Sequence, residues 1–576
     1  MYELKIVNGT LIDGTGQPRF KGDIGISDGK IAAIGVVEGG ADRVIDASGR
    51  IVAPGFIDIH THYDPQIVWD RMLTPSSWQG VTTVVMGTCG FGIAPTRKAD
   101  RDFLLHTLKH VEGMDYNCTS TGLGDWGFET FPEYMDMIES NGMVLNVAVQ
   151  VGHTCVRTWV MGADAQRRKE ATSEEIDAMR EVIREAMEVG AIGFATSNSP
   201  AHSGEGGIPV PSRWTTVDEL EALVGVLGEL GRGTFQCTWG PEITPETVER
   251  IARSTGVPIC DPGLSPTADG ERQRIVFEVI DRLNADGFVW RPQTGVLPNT
   301  FEVGLAEPFM FAIDQPAAAM KPARPLNELF VPIMDMETVE ERLAEYQKPE
   351  FRQKFIEMTD EPGWNEVYWP RLVINYVPTR PELEGRGMVE VAKELGKNPA
   401  DLMLDLCLET NLEALFGAVS GGSERFPDKQ LVLYNSDNVV LGLGDAGAHQ
   451  SQLFDGRYPA KLLGTWVRDR GLPLERAVQI LTKNEADIYG INDRGTLTEG
   501  LAADIVIFDI ETIQDGDLER VNDLPSGARR LISQPRGIDY VIVNGTVLRE
   551  GDKDAVDTKG VLPGKLLRKF KSRVSA

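Results

Sequence analysis

One unit recurs from about residue 51 to residue 443: a short apolar run closed by a polar residue, then a stretch with apolar side chains at helical spacing. Eight such runs can be read, Ile51 to Ile59, Val81 to Met86, Val144 to Val151, Ala191 to Thr196, Thr234 to Cys237, Val257 to Cys260, Gly287 to Arg291 and Val439 to Leu443. Runs that short and that uniformly apolar read as strands covered on both faces, and strands alternating with helices form a parallel sheet. Eight such units predict a (β/α)8 TIM-type barrel of ~250 residues, which leaves room in a chain of 576 residues for at least one further domain.

Both ends of the chain read differently. Leu4-Lys-Ile-Val, Asp23-Ile-Gly-Ile and Lys30-Ile-Ala-Ala-Ile alternate with turn signals at Asn8-Gly and Asp28-Gly, and Ala503-Asp-Ile-Val-Ile-Phe-Asp and Tyr540-Val-Ile-Val-Asn-Gly-Thr-Val repeat the pattern. A small β-sandwich made of residues 1–52 and 495–560 is expected, with the barrel at 53–494 and a C-terminal tail at 561–576. The span 300–437 is far longer than a βα connection. It carries helix signals at Glu337 to Glu345 and Met388 to Leu395, and reads as an insertion over the barrel mouth.

A formal charge of -29 argues against nucleic acid or an anionic membrane as partner, since both require basic surface. Small-molecule chemistry is the expectation, and a homo-oligomer is compatible with it. The start of the chain lacks a basic segment followed by a long apolar run, and no stretch reaches ~18 apolar residues, so a cytoplasmic protein is expected. The six cysteines lie far apart and are read as free thiols.

The first run ends in Asp58-Ile-His60-Thr-His62. Side chains two residues apart on a strand emerge on one side, so the two imidazoles converge at the end of a barrel strand, where catalytic groups collect. Imidazole is a good ligand for zinc and similar ions. The alternative is two unrelated loop histidines.

Taken in order, Asn8-Gly-Thr-Leu-Ile-Asp-Gly-Thr-Gly, Ala53-Pro-Gly-Phe-Ile-Asp-Ile-His-Thr-His-Tyr-Asp, Gly87-Thr-Cys-Gly-Phe-Gly-Ile-Ala-Pro, Val111-Glu-Gly-Met, Gly152-His-Thr, Gly444-Asp-Ala-Gly-Ala-His and Arg494-Gly-Thr-Leu-Thr-Glu-Gly-Leu resemble the amidohydrolases of the N-acyl-D-amino-acid deacylase (D-aminoacylase) group. The resemblance implies a divalent metal held by His60, His62, Cys89 and Asp445, with Asp445 also accepting a proton. It implies that Arg457 binds the substrate carboxylate. It further implies histidines after the fifth and sixth strands, and here the chain departs: Thr234-Phe-Gln-Cys-Thr-Trp-Gly and Val257-Pro-Ile-Cys-Asp-Pro-Gly hold none.

One zinc ion per chain is therefore expected, unless Cys237, Cys260 or Asp261 substitutes for the lost imidazoles. His153 and His449 are candidates to stabilise an oxyanion or bind substrate, against the reading of each as a histidine satisfied by the backbone. Arg291 and Arg213 are further candidates for binding a carboxylate, against a role in surface ion pairs. The expected activity is metal-dependent hydrolysis of the amide bond of an N-acyl amino acid, the D-enantiomer by resemblance. Alternatives are the same metal site acting on a cyclic imide, another amide or a C-C/C-N lysis, and a non-catalytic ligand-binding protein.

Overall fold

The computed structural model describes residues 1–168, 170–297, 300–312, 326–419 and 422–570. At its centre lies an eight-stranded sheet formed by β1 (Phe56–Asp58), β2 (Val81–Met86), β3 (Asn146–Gly152), β4 (Gly193–Ser197), β5 (Thr234–Thr238), β6 (Ile259–Asp261), β7 (Trp290–Thr294) and β8 (Val440–Leu441). Each strand runs parallel to the next. A parallel bridge from Thr61 to Ala446 joins the two edges, and the sheet is a TIM-type barrel.

The run Ile51 to Ile59 is not one strand. Ile51–Pro54 pairs with Thr10, Leu11 and Ile505–Phe508, outside the barrel, and only Phe56–Asp58 lies on β2. Gly55 makes the crossing: a Cβ there would stand 2.2 Å from Thr82 Cγ2, so only glycine lets the chain pass this close to β2.

Strands from both ends of the chain make one nine-stranded sheet, in which Ile505–Phe508 lies antiparallel on Ile51–Pro54. In its hydrogen bonding this is one continuous sheet, and Ile6, Ile26, Val52, Ile505 and Ile542 from both ends of the chain share one apolar core. Asn8-Gly9 closes no hairpin. Tyr2–Leu11 runs through it as one strand with a bulge, Asn8 at φ 62°, and changes neighbours there from Ala41–Asp46 to Ile51–Pro54. Asp28-Gly29 is a hairpin turn between Phe20–Ser27 and Lys30–Gly35, with φ of 53° and 70°.

Between β7 and β8, Thr300–Gly304, Leu372–Tyr376 and Leu415–Val419 form a three-stranded antiparallel sheet. It packs with helices around a separate apolar core that includes Phe330, Phe355, Trp369 and Phe416. The expected helix at 337–345 begins at Val339, because Thr338 caps it and Glu341 bonds back to the Thr338 N–H. The expected helix at 388–395 is Met388–Glu394. This region touches the loop after β8: Glu302 N donates to Gln452 O (2.7 Å), Ser451 Oγ donates to Glu307 (2.6 Å), and Phe309 lies 4.9 Å from the His449 ring.

Residues 561–570, the described part of the C-terminal segment, pack on the barrel at Leu567. Leu567 N donates to Val147 O, and the Leu567 side chain joins Ile57, Val85, Ala148, Ile192 and Val440 in an apolar cluster at the floor of the barrel.

Candidate metal centre

Past Asp58 the chain is held by the barrel itself. Asp58 Oδ1 accepts from His60 N (3.1 Å), Thr61 Oγ1 donates to Val85 O (2.8 Å), and His62 N donates to Ala446 O (2.8 Å). Both imidazoles are buried, and their rings lie 5.5 Å apart. The turn after β2 brings Cys89 to them with φ of 54°, in a loop pressed so close to β3 that a Cβ on Gly87 would stand 2.3 Å from Gln150 O. Cys89 N donates to Gln236 Oε1 on β5 (2.8 Å), which fixes that turn across the barrel. After β8, Asp445 takes φ of 42°. These turns set Cys89 Sγ 3.5 Å and Asp445 Oδ1 3.1 Å from His60 Nε2, with Asp445 Oδ1 3.8 Å from His62 Nε2.

Burial and charge pull the groups of this cluster in opposite directions. Burial lowers the pKa of His60, but Cys89 and Asp445 outweigh it and hold the group well above the ordinary value. Burial and the charge on His60 push His62 down to about 3. Burial raises Asp445, yet His60 and His62 win and hold it below the usual carboxylate range. In the protein alone, a proton on His60 balances the acidic neighbours, whereas metal ligands must shed their protons. The donor set fits zinc. The ligand atoms of His60, His62 and Cys89 lie within 4.8 Å of one another, and thiolate with imidazole is a common zinc set. The orientation of His60 suits coordination as well. Its Nδ1 lies 2.8 Å from Gln293 Oε1 on β7, an acceptor, so Nδ1 keeps its proton and Nε2 is the nitrogen that offers a lone pair once the imidazolium proton leaves.

The sequence pattern of the amidohydrolase family matches residues 43–273 and 452–549. A D-aminoacylase of Alcaligenes xylosoxydans xylosoxydans is 31% identical over 89% of this chain and 89% of its own length. The chain belongs to the amidohydrolase family. An N-acyl-D-glutamate deacylase of the same organism is 27% identical over 94% of this chain and 93% of its own. The solved structure of N-acyl-D-glutamate deacylase from Bordetella bronchiseptica, complexed with zinc and a phosphonate mimic of the tetrahedral intermediate, superposes with a TM-score of 0.66 at 25% identity, covering 99% of this chain and all of that one. This amidohydrolase is a D-aminoacylase-like hydrolase of carbon–nitrogen bonds.

In this amidohydrolase the ends of β5 and β6 bring no imidazole to the metal centre. Thr238 stands there instead, its Oγ1 3.5 Å from Cys89 Sγ. Cys237 and Cys260 are buried thiols whose pKa values burial drives upward, so both stay neutral. Cys237 faces the barrel's outer core, and Cys260 Sγ accepts from Gln293 Nε2 (3.3 Å). The Asp261 carboxylate accepts from Trp290 Nε1. Among the described residues the grouped metal donors are His60, His62 and Cys89, so none of the three proposed substitutes joins them.

Two predicted site residues are corrected. His153, the first residue of the helix His153–Met161, is fully buried with Nδ1 2.8 Å from Thr196 Oγ1 and Nε2 3.0 Å from Glu219 Oε1. Both ring nitrogens are engaged there, which removes it as an oxyanion donor. Arg291 lies near the start of β7, and its Nη1 donates to Asn284 and to Trp290 O. It lines a cavity of about 290 Å³ with Gly233, Thr234, Pro258 and Val289, which precede or open their strands, so it sits at the barrel end opposite the metal centre.

Arg457 and His449 lie on the metal side. Arg457 Nη1 bonds Asp515 (2.7 Å) and its Nε bonds Phe454 O (3.2 Å). His449 N donates to Glu112 O (2.6 Å), and Asp445 acts on the His449 ring, whose pKa burial lowers to about 4.

Sequence reasoning missed four residues here. Gln236 and Gln293 read as strand filler, and only the barrel shows that one holds the Cys89 turn and the other His60. His202 lies in none of the motifs that point to the site. The loop after β4 brings it to Ser197 (2.6 Å to Oγ) and into the field of Asp445 and His60. Glu112 lies inside the motif Val111-Glu-Gly-Met, a usable signal, and its Oε2 stands 3.6 Å from His62 Nε2.

Proposed function

We propose that this amidohydrolase cleaves the amide bond of an N-acyl amino acid, the D-enantiomer, with one zinc ion held by His60, His62, Cys89 and Asp445. The observation that carries this reading is the convergence of those four side chains at one end of the barrel. A single ion follows from the β5 and β6 ends, where Thr238 and buried neutral thiols replace strong ligands. The D-enantiomer and the acyl group come from relatives named D-aminoacylase, N-acyl-D-glutamate deacylase and N-acyl-D-aspartate deacylase.

When bound, such an ion supplies Lewis acidity to a carbonyl and lowers the pKa of water to about 7. Asp445 accepts a proton at its carboxylate and returns it to the leaving nitrogen. Arg457 anchors the substrate carboxylate through the edge of its guanidinium not used by Asp515 and Phe454, and His449 lines the substrate side. We further propose that the terminal sheet acts as a separate β-domain, residues 1–52 with 495–560, and that 300–437 covers the mouth of the barrel.

The test is hydrolysis of a panel of N-acetyl-D- and N-acetyl-L-amino acids and a cyclic imide, before and after chelation, with metal content measured by elemental analysis. Release of free D-amino acid that chelation abolishes and zinc restores is the expected outcome. Turnover of the imide alone, or turnover indifferent to chelation, would discard the reading.

A further inference from the structure

Glu112 is a buried carboxylate, 4% exposed, at a place that resists negative charge. It is the last residue of the helix Arg101–Glu112, where the helix dipole presents its negative end. No described residue donates a hydrogen bond to its carboxylate, which lies 3.6 Å from Nε2 of His62 and 3.9 Å from Nε2 of His449. A carboxylate removed from water in this way persists where a cation pairs with it.

The placement is built. Glu112 O accepts the backbone N–H of His449 at 2.6 Å, so the helix end is tied to a residue four positions after Asp445. Gly113 takes φ of 58°, and a Cβ on it would stand 2.9 Å from His449 Nδ1, so glycine lets the two segments close. The contacts then form a continuous series: Cys89 to His60 (3.5 Å), His60 to Asp445 (3.1 Å), Asp445 to His62 (3.8 Å) and His62 to Glu112 (3.6 Å). Ligand atoms on one ion at bonds of ~2.0–2.3 Å lie roughly 3–4 Å apart, which is the spacing of each neighbouring pair in that series; among the described residues the atoms that lie within 4.8 Å of one another all together are those of His60, His62 and Cys89, so the carboxylates of Asp445 and Glu112 close on that ion by turning their side chains.

We propose that Glu112 is a further ligand of the metal ion, a carboxylate from the helix after β2 that takes over coordination lost with the strand-five and strand-six histidines. The inference rests on the metal reading above. Its consequence is a centre richer in oxygen than the thiolate and imidazoles alone would make it.

The experiment compares the parent with Glu112→Gln, which keeps shape and removes charge. Metal-free samples of each are titrated with Co(II) against a competing chelator, and their absorption spectra and melting temperatures are recorded. The expected results are affinity weaker by at least about tenfold, the loss that even an outer partner of a ligand produces, and d–d bands that intensify as the coordination number drops. The thiolate-to-cobalt band should persist, since Cys89 is untouched, and the metal-free variant should melt at or above the parent. Parent that binds Co(II) and a variant with equal affinity and an equal spectrum would overturn the inference while leaving the metal reading intact. A metal-free variant that melts lower, again with an unchanged spectrum, would make Glu112 a structural partner of His62 and His449 and overturn it too. Parent that takes up no Co(II) would remove the metal reading and this ligand with it.

Discussion

At the ends of β1 and β2 the chain sets two imidazoles and a thiol around one point, with the Asp445 carboxylate after β8 beside His60 at 3.1 Å, whereas the ends of β5 and β6 carry Thr238, Trp239, Asp261 and Gly263. The two sides differ in kind of work. Gln236 on β5 accepts the Cys89 N–H, Thr238 donates to Cys89 Sγ, and Cys260 on β6 accepts from Gln293, whose other end meets the His60 ring. The strands that lack ligands hold the ligands of the opposite side. Gly442 confirms how tightly this is packed, since a Cβ there would stand 2.2 Å from Gln293 Oε1.

Removing a donor from the first side should have the largest effect. His60→Ala or Cys89→Ala is expected to empty the centre and cut turnover by on the order of a thousandfold, the rate equivalent of several kcal/mol of Lewis-acid stabilisation. Elemental analysis and initial rates check it, and full occupancy in either variant would break the contrast. On the supporting side, Gln293→Leu should leave the protein folded but release His60 from its orientation. Metal affinity is then expected to fall by about 10- to 100-fold in a chelator competition. An unchanged affinity would show that β7 only fills space.

Arg457→Lys keeps the charge and loses the planar fork, so KM for a carboxylate-bearing substrate should rise by about tenfold with little change in Tm. Equal KM values would remove Arg457 as the anchor.

Asp261 marks the β6 end as structural, and pH reads that out. Burial raises its pKa to about 7, against the opposing pull of Trp290 and Arg272. The folded protein thus holds this proton up to about pH 7 while the unfolded chain releases it near pH 4. The contribution is complete below about pH 4 and is lost as pH rises towards 7, a change on the order of 4 kcal/mol. Asp261→Asn should remove that trend, so the stability of the variant relative to the parent increases from pH 4 to pH 8. A constant difference would mean that Asp261 titrates normally. The smallest effect belongs to Cys237→Ala, expected to leave metal content unchanged and to lower stability by about 1 kcal/mol.

Much of the barrel could be read from the chain, because a buried parallel strand must be apolar throughout and a helix covering it must be apolar on one face. The reading failed where one apolar run serves two sheets, as Ile51 to Ile59 does across Gly55, since hydrophobicity does not say which sheet a strand joins. The motifs pointed to His60, His62, Cys89 and Asp445, and the structure brings the donor atoms of the first three within 4.8 Å of one another. Arg291 and His153 were misread because a charged or polar residue beside a strand reads alike at either barrel end, and because Glu219, far along the chain, is what satisfies His153.

The sequence by itself determined the kinds of donor available and the absence of histidine after β5 and β6, since composition is local to the chain. It also placed the His60-Thr-His62 pair at the end of a strand, because alternation sets side chains two apart on one face. Tertiary structure decided everything that joins strands distant in sequence: that Gln293 fixes the tautomer of His60, that Gln236 holds the turn of Cys89, and that the end of Arg101–Glu112 points a carboxylate at His62. Those relations depend on barrel closure, which brings residues 60, 89, 293 and 445 within a few ångströms, and no periodicity along the chain encodes that distance.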